Sequence, residues 1–211
     1  SRARGPARGR TPLSGHPPGG VDRGAGGRPP APVDEAGVVS QLVLTNRYHP
    51  ATREFLSRAR ELEITGARSC LLHGAFLGGE FATTWRLEHG ALLDLGPHLL
   101  DLLDAAVGPI VRVRGTGDPR RWIELTCEHA NGVVSQASLS GSVHVEQGNT
   151  RIELFGPQAP LVYDATELDH EETWSVLRRE FATAVRTGVS GALDVHRGLH
   201  LQTLMAQASE S

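Results

Sequence analysis

The sequence predicts an α+β domain, in which a mostly antiparallel sheet carries helices packed on one face. After residue 33, apolar runs of strand length alternate with apolar stripes at helical spacing. In the second half of the chain, several strand-like runs follow one another with no helical stripe between them. Consecutive strands of this kind pair as antiparallel neighbours, and the flanking helices then cover one face of the sheet.

The first half of the chain predicts two strands and two helices. A strand is expected over 38–45, where apolar residues fall on both faces. Pro50 marks a helix start, because proline is favoured in the first turn, and an apolar stripe follows it. A second strand is expected over 69–76. The apolar stretch 90–107 predicts a helix that starts or restarts at Pro97.

A block of strands is predicted next, over roughly 110–115, 122–129, 133–143 and 150–155. The middle two are joined by Asn131-Gly132, which is a strong hairpin signal because both residues tolerate the positive φ of a type I′ turn. These strands are therefore expected to form an antiparallel meander.

Two helices are predicted to end the chain. Asp169 with Glu172 resembles a capping box, and the helix that it opens is expected to end at Gly188. Asp194 is expected to cap the last helix.

Composition divides the chain into a tail over 1–32 and a domain over 33–211. The first segment is rich in Arg, Gly and Pro and has almost no large apolar residue, so it is expected to be disordered. An Arg-rich nucleic-acid arm, a non-structural leader and an out-of-frame translation of GC-rich DNA are alternative interpretations of this tail. The larger segment has enough apolar residues for one core.

Charge and cysteine content restrict the function classes. The net charge is −3 and the pI about 6.4, so neither nucleic acid nor an anionic membrane is an expected partner. No apolar run reaches the length of a membrane span, and a cytoplasmic location is expected by default. Cys70 and Cys127 lie far apart in apolar runs, so we expect neither a disulfide framework nor a metal site.

Two residue types are almost or entirely missing. All 21 basic residues are arginine, so lysine acid/base or Schiff-base chemistry cannot come from this chain. Met205 is the only methionine, which suggests a processed chain or a fragment whose true start lies upstream.

The densest polar cluster in an apolar setting contains Asp94, His98 and Asp101. Their spacing of four and three residues places all three side chains on one face of a helix. A carboxylate beside an imidazole is a common arrangement for a general acid or base. A capping aspartate and a hydrogen-bonded histidine at a helix start would give the same spacing, so both interpretations stay open.

The residues around this cluster resemble a family signature. Trp85-Arg86, the segment 89–98 and Asp101 resemble the pattern G-G-x-L-x-D-x-G-x-H-x-x-D of the glucose-fructose oxidoreductase, inositol dehydrogenase and rhizopine-catabolism (Gfo/Idh/MocA) family. His89 replaces the first glycine of that pattern. The segment 46–50, Asn-Arg-Tyr-His-Pro, is similar to the entry into the second domain of this family.

The resemblance implies a two-part enzyme. An N-terminal Rossmann domain would hold NAD or NADP, and this C-terminal domain would bind a sugar or polyol and form a homo-oligomer through its sheet. Asp94 would hold substrate hydroxyls, and His98 would exchange the hydroxyl proton. Four weaker candidates for the substrate pocket have ion pairing or core packing as an alternative role: Asn46, Arg47, Trp85 and Arg86.

The sequence also departs from that family. No G-x-G-x-x-G follows a predicted strand, and the lysine of the family's Glu-Lys-Pro motif cannot be present, so the Rossmann domain is expected to be missing here. The intact protein is therefore expected to be an NAD(P)-dependent oxidoreductase, whereas this chain alone should neither bind the cofactor nor catalyse. The alternative is a free-standing binding or dimerisation module with the same fold.

Overall fold

The computed structural model describes residues 13–14, 31–146, 148–166 and 168–210. Within them lie the helices α1 (Ala31–Ala36), α2 (Pro50–Ala59), α3 (Thr84–Val107), α4 (His170–Thr187) and α5 (Val195–Ser209). The strands are β1 (Leu13–Ser14), β2 (Gln41–Leu42), β3 (Gly66–Leu72), β4 (Ile110–Asp118), β5 (Trp122–His129), β6 (Val134–Ser140), β7 (Asn149–Phe155) and β8 (Leu161–Asp164). A short 3-10 helix spans Thr45–Tyr48.

The main sheet has the strand order β4-β5-β6-β3-β7-β8. All neighbouring strands are antiparallel except β3 and β6, which are parallel. The predicted α+β class with a mostly antiparallel sheet is therefore confirmed. The expected meander stops at β6, because β3 lies between β6 and β7, and the sequence analysis did not identify β8.

One face of this sheet is covered by helices. α3 crosses β5, β6, β3 and β7, while α2 packs on β8 and α5 on β4. Alternate residues of the strands point under these helices, and the leucines of α3 meet them from above. The core includes Leu92, Leu99, Leu100, Leu102, Leu103, Ile123, Leu125, Cys127, Ala137, Leu139, Ile152 and Leu154.

The opposite face of the sheet carries many charged side chains. Glu128 on β5 accepts hydrogen bonds from Arg112 (2.6 Å) and Arg114 (2.7 Å) on β4. Arg151 on β7 similarly binds Glu153 and Asp164. The strands of the same sheet also expose apolar side chains, namely Val111, Trp122, Val134 and Val162.

Two strand predictions need correction. Only Gln41–Leu42 forms a strand within 38–45, because the Leu42 N–H donates to the carbonyl of Leu193 between α4 and α5 (2.7 Å). The Tyr48 hydroxyl donates to the Leu42 carbonyl (2.7 Å), and the chain coils into the 3-10 helix. The strand expected over 69–76 begins earlier and ends earlier, at Gly66–Leu72.

The turn between β5 and β6 also differs from the expected type. The two strands pair as an antiparallel hairpin, as predicted. No non-glycine residue of the described chain has a positive φ, so Asn131 does not adopt the conformation that a type I′ turn needs. Gly132 has φ +84°, and its N–H donates to the His129 carbonyl (2.9 Å). The loop over 130–133, which contains one left-handed glycine, therefore connects the strands.

Asp169 and Asp194 cap the last two helices as expected, although Asp169 bonds the N–H of Glu171 and not that of Glu172, as the predicted capping box would require. The carboxylate of Asp169 accepts from the N–H of Glu171 (2.9 Å), and that of Asp194 accepts from the N–H of His196 (2.9 Å). Gly188 ends α4 with φ +72°.

The expected disordered tail over 1–32 lies outside the described residues except for 13–14 and 31–32, so its disorder stays a prediction. Leu13–Ser14 pairs in parallel with Gln41–Leu42. α1 begins ahead of the expected boundary at residue 33, and Asp34 in α1 contacts the Nε2 of His196 at 3.0 Å.

Candidate active site

A break in α3 at Gly90 positions the candidate catalytic residues. Gly90 has φ +73°, and a Cβ atom there would clash with the backbone of Arg120, so the position requires glycine. Beyond the break, the N–H of Ala91 donates to the Arg120 carbonyl (3.2 Å) and that of Leu92 to the Pro119 carbonyl (2.9 Å). The turn between β4 and β5 thus supplies the hydrogen bonds that the restarted helix needs.

Pro97, where the helix was expected to start or restart, lies inside α3. The left-handed conformation of Gly90 breaks the helix, whereas the fixed φ of proline is compatible with helical geometry. The expected restart at Pro97 is therefore wrong.

Asp94 and His98 lie on the same face of α3 beyond this break, as their spacing predicts. Asp94 is buried, with 9% of its surface exposed, and its Oδ2 lies 3.1 Å from the Nε of Arg86. His98 is half-buried one helical turn further along. A carboxylate held by a guanidinium in a buried place remains a strong hydrogen-bond acceptor.

Trp85 and Arg86 lie on the short helical segment before the break. One Nη of Arg86 donates to the Phe81 carbonyl (3.2 Å), and its guanidinium lies over the Phe81 ring at 5.5 Å. The Trp85 ring stacks on His89 with a centroid distance of 4.7 Å and an interplanar angle of 13°. The structure therefore brings Arg86 to Asp94 and leaves Trp85 about one third exposed beside it.

Arg47 reaches α3 at a different point. Its Nη1 lies 2.7 Å from Oδ2 of Asp101, which is fully buried. Arg197 of α5 binds both Asp101 (2.6 Å) and Asp104 (2.7 Å), and Nε2 of His200 lies 3.0 Å from Asp104. We call these five residues the Asp101 network. It joins the 3-10 helix, α3 and α5 through buried ion pairs.

Asp104 is stabilised in its charged form within the Asp101 network. Burial alone would raise its pKa, but the N–H of Ile110, Arg197 and His200 together hold the pKa below the ordinary value.

Asn46 is half-buried in the same 3-10 helix as Arg47. Its backbone carbonyl accepts from the His49 N–H (3.2 Å), and Nδ1 of His49 accepts from the Ala51 N–H (3.1 Å) at the start of α2. Asp94 and Asp101 are about 10 Å apart along the helix axis, from the rise per residue. Arg47 therefore contacts α3 at Asp101, about 10 Å along the helix from Asp94, where Arg86 lies.

His73 belongs to the neighbourhood of Asp94, although it is not among the site residues predicted from the sequence. Burial, the largest effect, lowers the pKa of His73, while Asp94 raises it and Arg86 lowers it. A polar residue at the carboxyl end of a buried strand is the signal that could have identified it.

Two searches concern other classes of site. Among the described residues, no group of three or more His, Cys, Asp or Glu side chains is arranged to hold a metal ion. No helix in the same part of the chain is both long and apolar enough to cross a membrane.

The fold and this site define an α+β domain in which the helix that covers the sheet carries an Asp-His pair. Residues 63–162 match the family model described as the GFO/IDH/MocA C-terminal domain. The predicted resemblance to this family is confirmed over residues 63–162. No curated protein matches the sequence.

Solved structures share the fold. GenD2 from gentamicin A biosynthesis, in complex with NAD, is 18% identical with a TM-score of 0.72, covering 86% of this chain and 63% of its own. An oxidoreductase domain protein from Kribbella flavida is 18% identical with a TM-score of 0.70, covering 85% and 65%. Levoglucosan dehydrogenase with NADH is 16% identical with a TM-score of 0.71, covering 82% and 64%.

Levoglucosan dehydrogenase is also solved with NADH and levoglucosan, and with NADH and L-sorbose. At these identities the likeness establishes the fold. The chain spans less than two thirds of the length of these structures.

Proposed function

We propose that this domain forms the substrate side of an NAD(P)-dependent oxidoreductase that acts on a hydroxyl group of a sugar or polyol. The observation that carries the proposal is the buried Asp94, held by Arg86 at the helix break and followed one turn later by His98. The proposal includes a homo-oligomer formed through the sheet and a cytoplasmic location.

The described residues do not fit a dinucleotide. No described strand-to-helix connection carries G-x-G-x-x-G, and the connection from β3 to α3 has its glycines, Gly74, Gly78 and Gly79, at another spacing. A separate domain would therefore hold the nicotinamide, which accepts or donates the hydride when bound.

The residues of this chain have two roles in the proposal. Asp94 accepts a hydrogen bond from a substrate hydroxyl and thereby orients the carbon that reacts. His98 accepts the proton of the reacting hydroxyl during oxidation and returns it during reduction. Arg86 holds the Asp94 carboxylate in place through their ion pair. Asn46, Arg47 and Trp85 remain weaker candidates for contacts with the rest of the substrate.

The described residues form no dinucleotide-binding site, and this favours a second candidate function, a non-catalytic binding or dimerisation module. The two candidates differ in one measurement. A form that carries a dinucleotide-binding domain ahead of residue 33 should convert NAD(P)⁺ with a neutral sugar or polyol, whereas a module should not.

The test uses that form with the variants His98→Ala and Asp94→Asn. We expect His98→Ala to lower kcat by about 10² to 10⁴-fold, which is the usual contribution of a positioned acid or base. The melting temperature should change little. Asp94→Asn should also slow turnover. His196→Ala, an exposed histidine on α5, is the matched control and should leave kcat unchanged.

Lost stability at unchanged turnover would remove both residues from the catalytic set. The chain alone should show no binding of NAD(H) or NADP(H) by calorimetry, and tight binding would contradict the assignment of the cofactor to another domain.

A further inference from the structure

His73 directly follows the carboxyl end of β3, on the helix-covered face of the sheet. Ala67 and Leu71 of β3 are buried under the helices, and His73 follows in the same alternation, so its side chain points to the same face. Pairing continues to this residue, because its N–H donates to the Ser140 carbonyl (3.0 Å) and its carbonyl accepts from the Val143 N–H (3.3 Å).

The carboxyl ends of β3 and β6 are connected directly to the break in α3. The hydroxyl of Ser140, at the end of β6, donates to the Arg121 carbonyl (2.6 Å) in the turn between β4 and β5. The preceding carbonyls of that turn accept from the first N–H groups beyond Gly90. The ends of β3 and β6 therefore meet the helix segment that carries Asp94.

Charges on two neighbouring segments act on the His73 ring. The carboxylate of Asp94 favours its protonated form and the guanidinium of Arg86 opposes it, while burial, which is the largest effect, lowers its pKa. Both charges are therefore close enough to act on the ring, and burial favours its neutral form.

The tautomer of the neutral ring is assigned by its hydrogen bond. Nδ1 of His73 accepts from the backbone N–H of Ala75 (3.2 Å), so the ring proton is on Nε2. The Phe76 ring packs edge-on at a centroid distance of 5.6 Å and holds the orientation of the imidazole. His73 therefore offers one donor and no free acceptor on its ring.

We propose that His73 is a substrate-binding residue whose Nε2–H donates to the oxygen of the same substrate hydroxyl that donates to Asp94. A hydroxyl group both donates and accepts, while an ionised carboxylate only accepts and this tautomer only donates. The pair selects a hydroxyl over an ether or carbonyl oxygen, each of which lacks a proton to give Asp94. This inference rests on the proposed function.

The first experiment needs no ligand and uses the full chain. Heteronuclear NMR of the histidine rings should show His73 as the Nε2–H tautomer with a pKa below that of an exposed histidine. Asp94→Asn should lower this pKa further, and Arg86→Gln should raise it. His129 is the matched control, because burial also lowers its pKa but its neighbours are Gly108 and Asp104.

The Nδ1–H tautomer, or a His73 pKa that neither variant moves, overturns the inference.

The second experiment adds myo-inositol, D-glucose and levoglucosan in turn to the full chain. We expect at least one of them to shift the resonances of both Asp94 and His73, with those of His129 unmoved. His73→Phe should weaken that binding about threefold to tenfold, the usual effect of one lost hydrogen bond. His73→Gln, whose amide keeps a donor near the position of Nε2, should restore part of it.

Shifts at Asp94 without shifts at His73, or equal binding by His73→Phe, overturn the role of His73 and leave the proposed function standing. No shift at either residue with all three compounds overturns both.

Discussion

The two ends of the polar stripe on α3 use the same residue type in different ways. At one end, Asp101 is fully buried and bound by Arg47 and Arg197, each less than one fifth exposed. At the other end, Asp94 is paired with Arg86, which lies on the other side of the helix break. Asp101 joins three elements inside the protein, while Asp94 acts on the His73 ring that follows β3.

The difference shows that a shared motif does not imply a shared role. Asp94 and Asp101 are seven residues apart, so they occupy the same helical face and both match the family signature. Only the partners separate them. The Asp101 network closes its charges on one another, whereas the surroundings of Asp94 include His73 and the half-buried His98.

The largest expected loss of stability is at Asp101. Asp101→Ala leaves the guanidinium groups of Arg47 and Arg197 unpaired in a buried place, and we expect the free energy of unfolding to fall by about 3 to 5 kcal/mol. Urea denaturation measures the loss. Asp94→Asn is the comparison variant and should lose clearly less stability, so equal losses would remove the distinction between the two ends.

The helix break provides the next effect. Gly90→Ala places a Cβ against the backbone of Arg120 at a positive φ, and we expect a loss of about 2 to 3 kcal/mol. Gly188→Ala is the matched control, because its φ is also positive (+72°) but its Cβ would meet nothing within 4 Å, and about 1 kcal/mol is expected. Similar losses in the two variants would mean that the contact with Arg120 is not needed.

Local sequence patterns predicted the parts of this site that depend on spacing within one element. The helical face shared by Asp94 and His98 follows from their separation by four residues, and the caps at Asp169 and Asp194 follow from local chemistry. The family signature contains a glycine at position 90. The reason that glycine is required there is the close approach of Arg120, which is distant in the sequence.

The rest depends on contacts between distant segments. Arg47 and Arg197 lie 54 and 96 residues from Asp101, so no local pattern pairs them. His73 reaches the site because β3 is inserted between β6 and β7, which strand-length patterns cannot show. The same insertion explains why the meander prediction was only partly correct.

The stability of the protein, measured as a function of pH, tests the protonation states of His73 and His129. Burial lowers the folded-state pKa of His73 and His129 below the ordinary value of 6.5. Their contribution to stability is therefore present above pH 6.5 and is lost as the pH falls through the lowered folded-state pKa. Urea unfolding across this range should show decreasing stability toward acid.

His73→Gln and His129→Gln should each flatten the decrease between pH 6.5 and more acidic values, whereas His144→Gln, an exposed residue, should not. Asp104 acts in a separate window, because its lowered pKa removes stability only below its ordinary value of 3.8. An unchanged slope in both buried variants would contradict the assignment of these rings as neutral.

Assembly through the charged sheet face has the smallest expected effect on the stability of one subunit. Sedimentation should show a dimer or larger, since the self-complementary arginine and glutamate pairs of β4 and β5 allow a two-fold contact.

Glu128→Arg places a third positive charge beside Arg112 and Arg114 and should dissociate the oligomer without unfolding the subunit. Glu180→Arg, on α4 away from the sheet, is the matched control and should leave the oligomer intact. A strict monomer at high concentration, or equal dissociation by both variants, would count against this interface and leave the fold unaffected.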